Sequence, residues 1–326
     1  MSANHNHDIQ IARDTILAAK KAGADAVKLQ TYTADTLTID CDKPWFKVDS
    51  GTIWDGTTLY DLYKKAYTPW EWHEELFEYG KNLGLVVFST PFDYSAVDFL
   101  EKLGNPIYKV ASFEAMDYPL VSYAAKKAKP MVISTGMLSL EEISEVVQVC
   151  RNDGNNDITL LVCTSEYPAL PEDAHLLKLQ DLAFRFNVKV GLSDHTMGYA
   201  VANAAVALGA CMIEKHFIMD RSLGGVDSAF SMNENEFKEM VASIRIIEKA
   251  VSTPDYTKKS SGRVFARSLF VVQDIKKDDV FTKDNVRSIR PSCGLHPRYY
   301  FDILGLKSMY DIERGTPLKW EFFEND

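Results

Sequence analysis

Two segments, V-K-V-G-L-S-D-H (188–195) and C-M-I-E-K-H-F (211–217), decide how the chain is read. Each is a short aliphatic run that turns polar at its end, and a helix candidate, Tyr199 to Leu208, lies between them. A strand, a helix and a second strand of this kind form a crossover unit in a parallel sheet. Five more runs of the same kind precede them: A-V-K-L-Q-T-Y (26–32), L-V-V-F-S-T-P-F (85–92), P-I-Y-K-V-A-S (106–112), P-M-V-I-S-T-G (130–136) and I-T-L-L-V-C-T-S (158–165). Most are followed by an amphipathic stretch, such as Ser139 to Arg151.

Strands buried on both faces read as continuous apolar runs. These do so until polar residues close each one: Lys28 and Gln30, Ser89 and Thr90, Lys109 and Ser112, Ser134 and Thr135, Thr164 and Ser165, Asp194 and His195, Glu214 and His216. Polarity therefore gathers at one end of the sheet. In an α/β (TIM) barrel of eight strands that end is the mouth, where strand tips converge on an active site. Seven runs do not close such a barrel. The stretch Ile9 to Ala22, ending at Gly23, reads as the helix that follows a first strand. The expectation is a (β/α)8 barrel whose first strand precedes Met1, with an open seven-stranded sheet as the alternative.

The 326 residues carry 36 Lys+Arg against 46 Asp+Glu, a net charge of -10 that repels nucleic acid. Five cysteines without a C-x-x-C pair suit a reducing compartment. The start M-S-A-N-H-N-H-D has neither a basic region nor an apolar run. The longest apolar stretch, Ala200 to Ile213, is interrupted by Asn203 and is too short to span a bilayer. A cytoplasmic protein outside the membrane is expected. The barrel domain is assigned to residues 1–246. A polar linker at 247–267 carries Pro254 and Gly262. A compact β-rich module, with one helical turn opening at Thr282, is assigned to 268–326.

His195 and His216 end adjacent strands, where two imidazoles suit one divalent metal with open positions for substrate; the alternative is a pair of hydrogen-bonded structural histidines. Asp194 and Glu214 beside them are candidates for orienting or accepting protons. Lys28 and Lys109 lie within apolar strands, where an ammonium needs a partner or a cavity. With Ser112, Ser134 and Thr135 they suit a phosphate or carboxylate; equally, each lysine pairs with an acid such as Glu114 or Glu214. Trp45, Trp54, Trp70 and Trp72, with Tyr60, Tyr63 and Tyr67, fall between the first two runs, as a lid over a sugar ring or as packing for a subdomain or interface. His5 and His7 read as solvent-exposed, and Cys163 as a buried small hydrophobe.

The motifs S-A-N-H-N (2–6), A-D-A-V-K-L-Q-T (24–31), F-S-T-P-F (88–92), Y-K-V-A-S-F-E (108–114), I-S-T-G-M (133–137), C-T-S-E-Y-P (163–168), G-L-S-D-H-T (191–196) and E-K-H-F (214–217), in this order, resemble the sialic acid synthase family. The part after Ser268 is similar to its antifreeze-like (SAF) domain, and the aromatic segment at 56–73 resembles the pseudaminic branch more than the N-acetylneuraminate branch.

The resemblance implies a transferase that condenses phosphoenolpyruvate with an open-chain N-acetylated amino sugar, in the pseudaminic branch 2,4-diacetamido-2,4,6-trideoxy-L-altrose. It implies His195 and His216 as ligands of a divalent metal, manganese first, with magnesium and cobalt as alternatives. Lys28, Thr90, Lys109, Ser112 and Ser134 are implied at the phosphoenolpyruvate site, with His195, His216 and Lys109 carrying the chemistry. Gln30, Tyr167 and Asp227 are implied near the sugar. Arg290 is implied to reach a partner subunit's site in a domain-swapped homodimer.

Two departures accompany the resemblance. The family's acidic residue ahead of S-A-N-H-N falls before Met1, so a chain starting there is expected to have little or no activity. Val162 stands where some members carry a histidine. The alternatives are an N-acetylneuraminate or legionaminate synthase, a Schiff-base aldolase using Lys28 or Lys109, and a sugar-binding protein without turnover.

Overall fold

A computed structural model describes residues 1–49, 55–257 and 260–323; Trp54 lies outside them. The chain divides into two compact units, Met1–Ser252 and Thr253–Asp326. In the first, α1 (Ile9–Lys21) leads into β1 (Ala26–Thr31), followed by α2 (Ala34–Leu37), α3 (Leu59–Ala66) and α4 (His73–Asn82). Strands and helices then alternate: β2 (Val86–Pro91), α5 (Tyr94–Lys102), β3 (Tyr108–Val110), α6 (Tyr118–Ala125), β4 (Met131–Ser134), α7 (Leu140–Asn152), β5 (Ile158–Cys163) and α8 (Lys178–Phe186). The series ends with β6 (Lys189–Asp194), α9 (Ala200–Ala207), β7 (Ile213–Lys215) and α10 (Glu234–Ala250).

The helices begin where side chains replace the missing intrahelical acceptors. The Asp8 carboxylate accepts from the N–H groups of Gln10 and Ile11 at α1, and Ser139 with Glu142 closes a capping box at α7. The strands pair in parallel and in sequence order from β1 to β7. Register fixes what each face does. Val27 and Leu29 of β1, Val87 of β2, Val110 of β3, Ile133 of β4, Leu160 and Val162 of β5 and Leu192 of β6 turn outward into one core with the helices. Because strand side chains alternate, Lys28, Gln30, Thr90, Lys109, Ser134, Ser193 and Glu214 share the inner face.

Among the described residues the edge strands β1 and β7 do not pair with each other. A cavity of about 450 Å³, lined by Val27, Phe88, Ile213, Phe217 and Met240 among others, separates them. The α/β class holds, and the barrel is a curled sheet of seven strands, open where the eighth strand of a closed barrel would run. At its mouth end the Met1 amine donates to the Lys28 carbonyl at 3.0 Å.

Gly191 of β6 is required by space. A Cβ there would lie 2.6 Å from the Met212 carbonyl oxygen and 2.6 Å from Leu161 Cδ2. Since backbone cannot yield as a long side chain can, Gly191→Ala is expected to destabilise the barrel by about 1–3 kcal/mol, read from the urea midpoint.

In the second unit β8 (Ser268–Val271) pairs antiparallel with β9 (Val286–Ile289), around a core of Leu269, Val271, Ile275, Phe281, Ile303 and Leu318. Much of the remaining β character is single bridges, such as Ile275 to Ile312 and Val280 to Lys307. The turn opening at Thr282 is real but does not grow into a helix: the Thr282 carbonyl accepts from Val286 N–H, and Val286 then enters β9. The short helix α11 forms at Tyr300–Ile303 instead.

Candidate active site

The inner face ends in a polar floor. Lys28 Nζ lies 3.0 Å and Lys109 Nζ 3.7 Å from Glu214 Oε1, which also accepts from the Ser193 hydroxyl at 3.0 Å. Both lysines thus share the acid that the sequence offers as one of their alternative partners. Burial alone would raise the Glu214 carboxyl; the ammonium groups of Lys109 and Lys28 outweigh it and hold the group below the usual carboxylate range. Lys109 is 1% exposed, and burial lowers its ammonium to about 8 although Glu214 opposes the shift. Two cations around one carboxylate leave a surplus positive charge on the floor.

Hydroxyl groups surround that charge. Ser134 Oγ accepts from Lys109 Nζ at 2.8 Å, and Ser112 Oγ accepts from the Gly136 N–H at 3.1 Å. Thr90 Oγ1 and Ser165 Oγ are buried without a hydrogen-bond partner. Leaving a buried hydroxyl unmatched costs about 1–3 kcal/mol, so each would gain from a hydrogen-bonding ligand on the floor. Thr135 does not join them, because its hydroxyl donates to the Leu161 carbonyl at 3.1 Å.

Across the mouth, the rings of His195 and His216 lie 5.1 Å apart, and Tyr167 packs 4.4 Å from His195 and 5.9 Å from His216. His195 Nδ1 lies 2.7 Å from the Thr164 carbonyl oxygen, which fixes the tautomer with Nε2 free to coordinate. Burial, then the neighbouring His216, lowers His195 to about 3, so it is neutral at pH 7. His216 Nδ1 is buried without a hydrogen-bond partner, 3.6 Å from Asp227 Oδ2. Two imidazoles with ring nitrogens to spare fit a divalent cation. Among the described residues no group of three or more His, Cys, Asp or Glu is arranged around a metal, so the remaining coordination positions would fall to substrate and water.

Asp227 accepts from the Ser2 hydroxyl and from the Ala3 N–H, and Ser2 also donates to Gln30 Oε1 at 3.3 Å. The N-terminal loop therefore ties the β1 side of the mouth to the segment after β7. Arg290 is exposed in the second unit, just after β9.

Three side chains lie elsewhere than the sequence suggests. Asp194 does not face the mouth: it pairs with Lys215 at 3.0 Å, both side chains nearly inaccessible, on the opposite side of β6 and β7 from Ser193 and Glu214. His5 is not solvent-exposed but fully buried, 3.2 Å from the Thr68 hydroxyl, whereas His7 is exposed. Cys163 is half-buried, with Sγ 4.0 Å from His195 Nδ1.

Glu114 is the residue that sequence reasoning underrated, naming it only as a partner for a lysine. It follows β3 two positions beyond Ser112, and its Oε2 is buried without a hydrogen-bond partner. Burial raises its carboxyl to about 7, against the pull of Lys109. An acid at the strand tip beyond a lysine and a serine was the signal available.

The model of the NeuB family matches residues 15–256, and that of the SAF domain matches residues 266–324. The pseudaminic acid synthase of Campylobacter jejuni is 46% identical over 98% of this chain and 94% of its own length. That of Helicobacter pylori is 45% identical over 99% and 96%. The crystal structure of the Bacillus subtilis spore coat polysaccharide biosynthesis protein SpsE superimposes with a TM-score of 0.66 at 32% identity, covering 99% of this chain and 93% of that one.

Proposed function

The chain belongs to the NeuB family, and from that premise we propose that it condenses phosphoenolpyruvate with 2,4-diacetamido-2,4,6-trideoxy-L-altrose to give pseudaminic acid and phosphate. The observation that carries the reading is the floor of the mouth, where two lysines share one carboxylate beside the unmatched hydroxyls of Thr90 and Ser165. Surplus positive charge and free donors suit a phosphate ester that also bears a carboxylate. The choice of sugar follows the two bacterial relatives at 46% and 45% identity.

Lys28, Lys109, Thr90, Ser112 and Ser134 hold phosphoenolpyruvate, and Gln30, Tyr167 and Asp227 face the sugar. His195 and His216 would hold the divalent metal, manganese first with magnesium or cobalt as alternatives, which supplies Lewis-acid polarisation of the aldehyde oxygen. As the enol carbon bonds to the aldehyde carbon, its neighbour becomes electron-poor and is captured by water. The Glu114 carboxylate takes the proton that this water loses. It then returns that proton to the bridging oxygen as the carbon–oxygen bond to phosphate breaks, while the second proton of the captured water goes to the former aldehyde oxygen, which leaves a keto carbon, a new hydroxyl and hydrogen phosphate. No covalent bond to a lysine is needed.

Asp227→Asn, which weakens the support behind His216, is expected to raise the Mn2+ concentration for half-maximal activity about ten- to a hundred-fold in a metal titration. Exposed apolar side chains on the loops after β3 to β7, namely Phe113, Met137, Leu170, Met197 and Leu223, ring the mouth. Such a ring suits coverage by a second copy of the chain in a domain-swapped homodimer, with Arg290 reaching the partner's site. No helix among the described residues is long and apolar enough to cross a membrane.

Mass spectrometry of the reaction of phosphoenolpyruvate with this sugar and Mn2+ tests the reading. One nonulosonic acid per phosphate released is expected, and in a separate incubation with borohydride no lysine adduct on the protein. Borohydride trapping of a lysine adduct would instead support the Schiff-base aldolase.

A further inference from the structure

An aromatic corner stands on the β1–β2 side of the mouth. β1 and β2 pair with Lys28 opposite Phe88 and Gln30 opposite Thr90. Carried one step further along the same inner face, this register brings Tyr32 to Phe92, whose ring centroids are 5.1 Å apart at 74°. Tyr63 of α3 completes the corner, 5.9 Å from Tyr32 at 76°. Tyr32 is buried, and Phe92 and Tyr63 are half-buried. The corner continues the inner face that carries Lys28, Gln30 and Thr90; burial and then the charge of Asp227 raise the Tyr32 phenol, and burial and then Glu114 raise that of Tyr63.

Polarity is graded across the mouth. The two imidazoles lie at one side; Asp227, 3.6 Å from His216, comes next, and Ser2 links it to Gln30. Aromatic carbon follows. An open-chain sugar with its aldehyde at the histidines and its hydroxyl and amide groups beside Asp227 and Gln30 would direct its last carbon toward Tyr32, Phe92 and Tyr63.

We propose that this corner is the subsite for the terminal methyl group of a 6-deoxy sugar, with Phe92 as the main determinant of selectivity against a 6-hydroxy sugar. The inference rests on reading the mouth as a synthase site for an amino sugar. A methyl group gains contact with the rings, whereas a hydroxyl pressed against Phe92 loses water without finding a partner. Apolar pockets discriminate against an added hydroxyl by about a hundred-fold at most.

The test compares kcat/KM for 2,4-diacetamido-2,4,6-trideoxy-L-altrose and its 6-hydroxy counterpart in the full chain, with melting curves as the folding check. The wild type is expected to favour the deoxy sugar about ten- to a hundred-fold. Phe92→Ser is expected to shrink that ratio at least about five-fold, mainly through KM for the 6-hydroxy sugar, while Phe92→Leu and Tyr63→Phe keep it. A corner that only packs the loops would lower both activities together and leave the ratio unchanged, and that result overturns the proposal. No turnover with either sugar, by the wild type or by the same chain extended ahead of Met1, overturns the reading of the site itself, and the subsite with it.

Discussion

Lys109→Met is expected to lower kcat/KM for phosphoenolpyruvate about a thousand-fold while the fold survives. Lys109 is held from three sides, by the Ser134 hydroxyl at 2.8 Å, the Val110 carbonyl at 3.2 Å and Glu214 at 3.7 Å, and it is 1% exposed. Its removal leaves Glu214 with Lys28 as its remaining cation, so the surplus positive charge that attracts the substrate is cancelled. Methionine keeps most of the volume, and the carboxylate stays paired at 3.0 Å, which is why stability suffers less than binding. Lys109→Arg is not expected to rescue, because a planar guanidinium does not fit a buried pocket shaped around an ammonium. Steady-state kinetics with phosphoenolpyruvate as the varied substrate, together with a melting curve, check both parts.

Glu114→Gln is expected to lower kcat about a thousand-fold with little change in KM for phosphoenolpyruvate. The carboxyl titrates near 7 because burial raises it more than Lys109 lowers it. Only its ionised form can take a proton from water, so wild-type kcat/KM should fall as pH drops below about 7. The anionic substrate repels that ionised form, which pushes the corresponding limb of kcat to higher pH. Glutamine cannot ionise, and the residual activity of the variant should lose this acid limb. A variant that keeps the limb would assign the titration to another group.

The parallel sheet was legible because its strands are buried on both faces and end in polar residues, as in V-K-V-G-L-S-D-H and C-M-I-E-K-H-F. Adjacent tips bring His195 and His216 together by register alone, since Ser193 pairs opposite Glu214 and Asp194 opposite Lys215. The same alternation argued against Asp194 as a site residue: if His195 faces the mouth, its neighbour faces away. The sharing of Glu214 by Lys28 and Lys109 was not legible, because a buried cation reads alike whether its partner is protein or ligand. His5 was misread for lack of a local signal; its burial depends on Thr68 and Trp72, more than sixty residues away. In the second unit, strands of four residues and single bridges fall below the length at which alternation identifies a strand.

Phosphate release from phosphoenolpyruvate in the presence of Mn2+, with 2,4-diacetamido-2,4,6-trideoxy-L-altrose, N-acetylmannosamine or no sugar in parallel, tests the central claim most directly. Release with the first sugar alone is the expected result. Release only with N-acetylmannosamine, or with neither sugar, would contradict it.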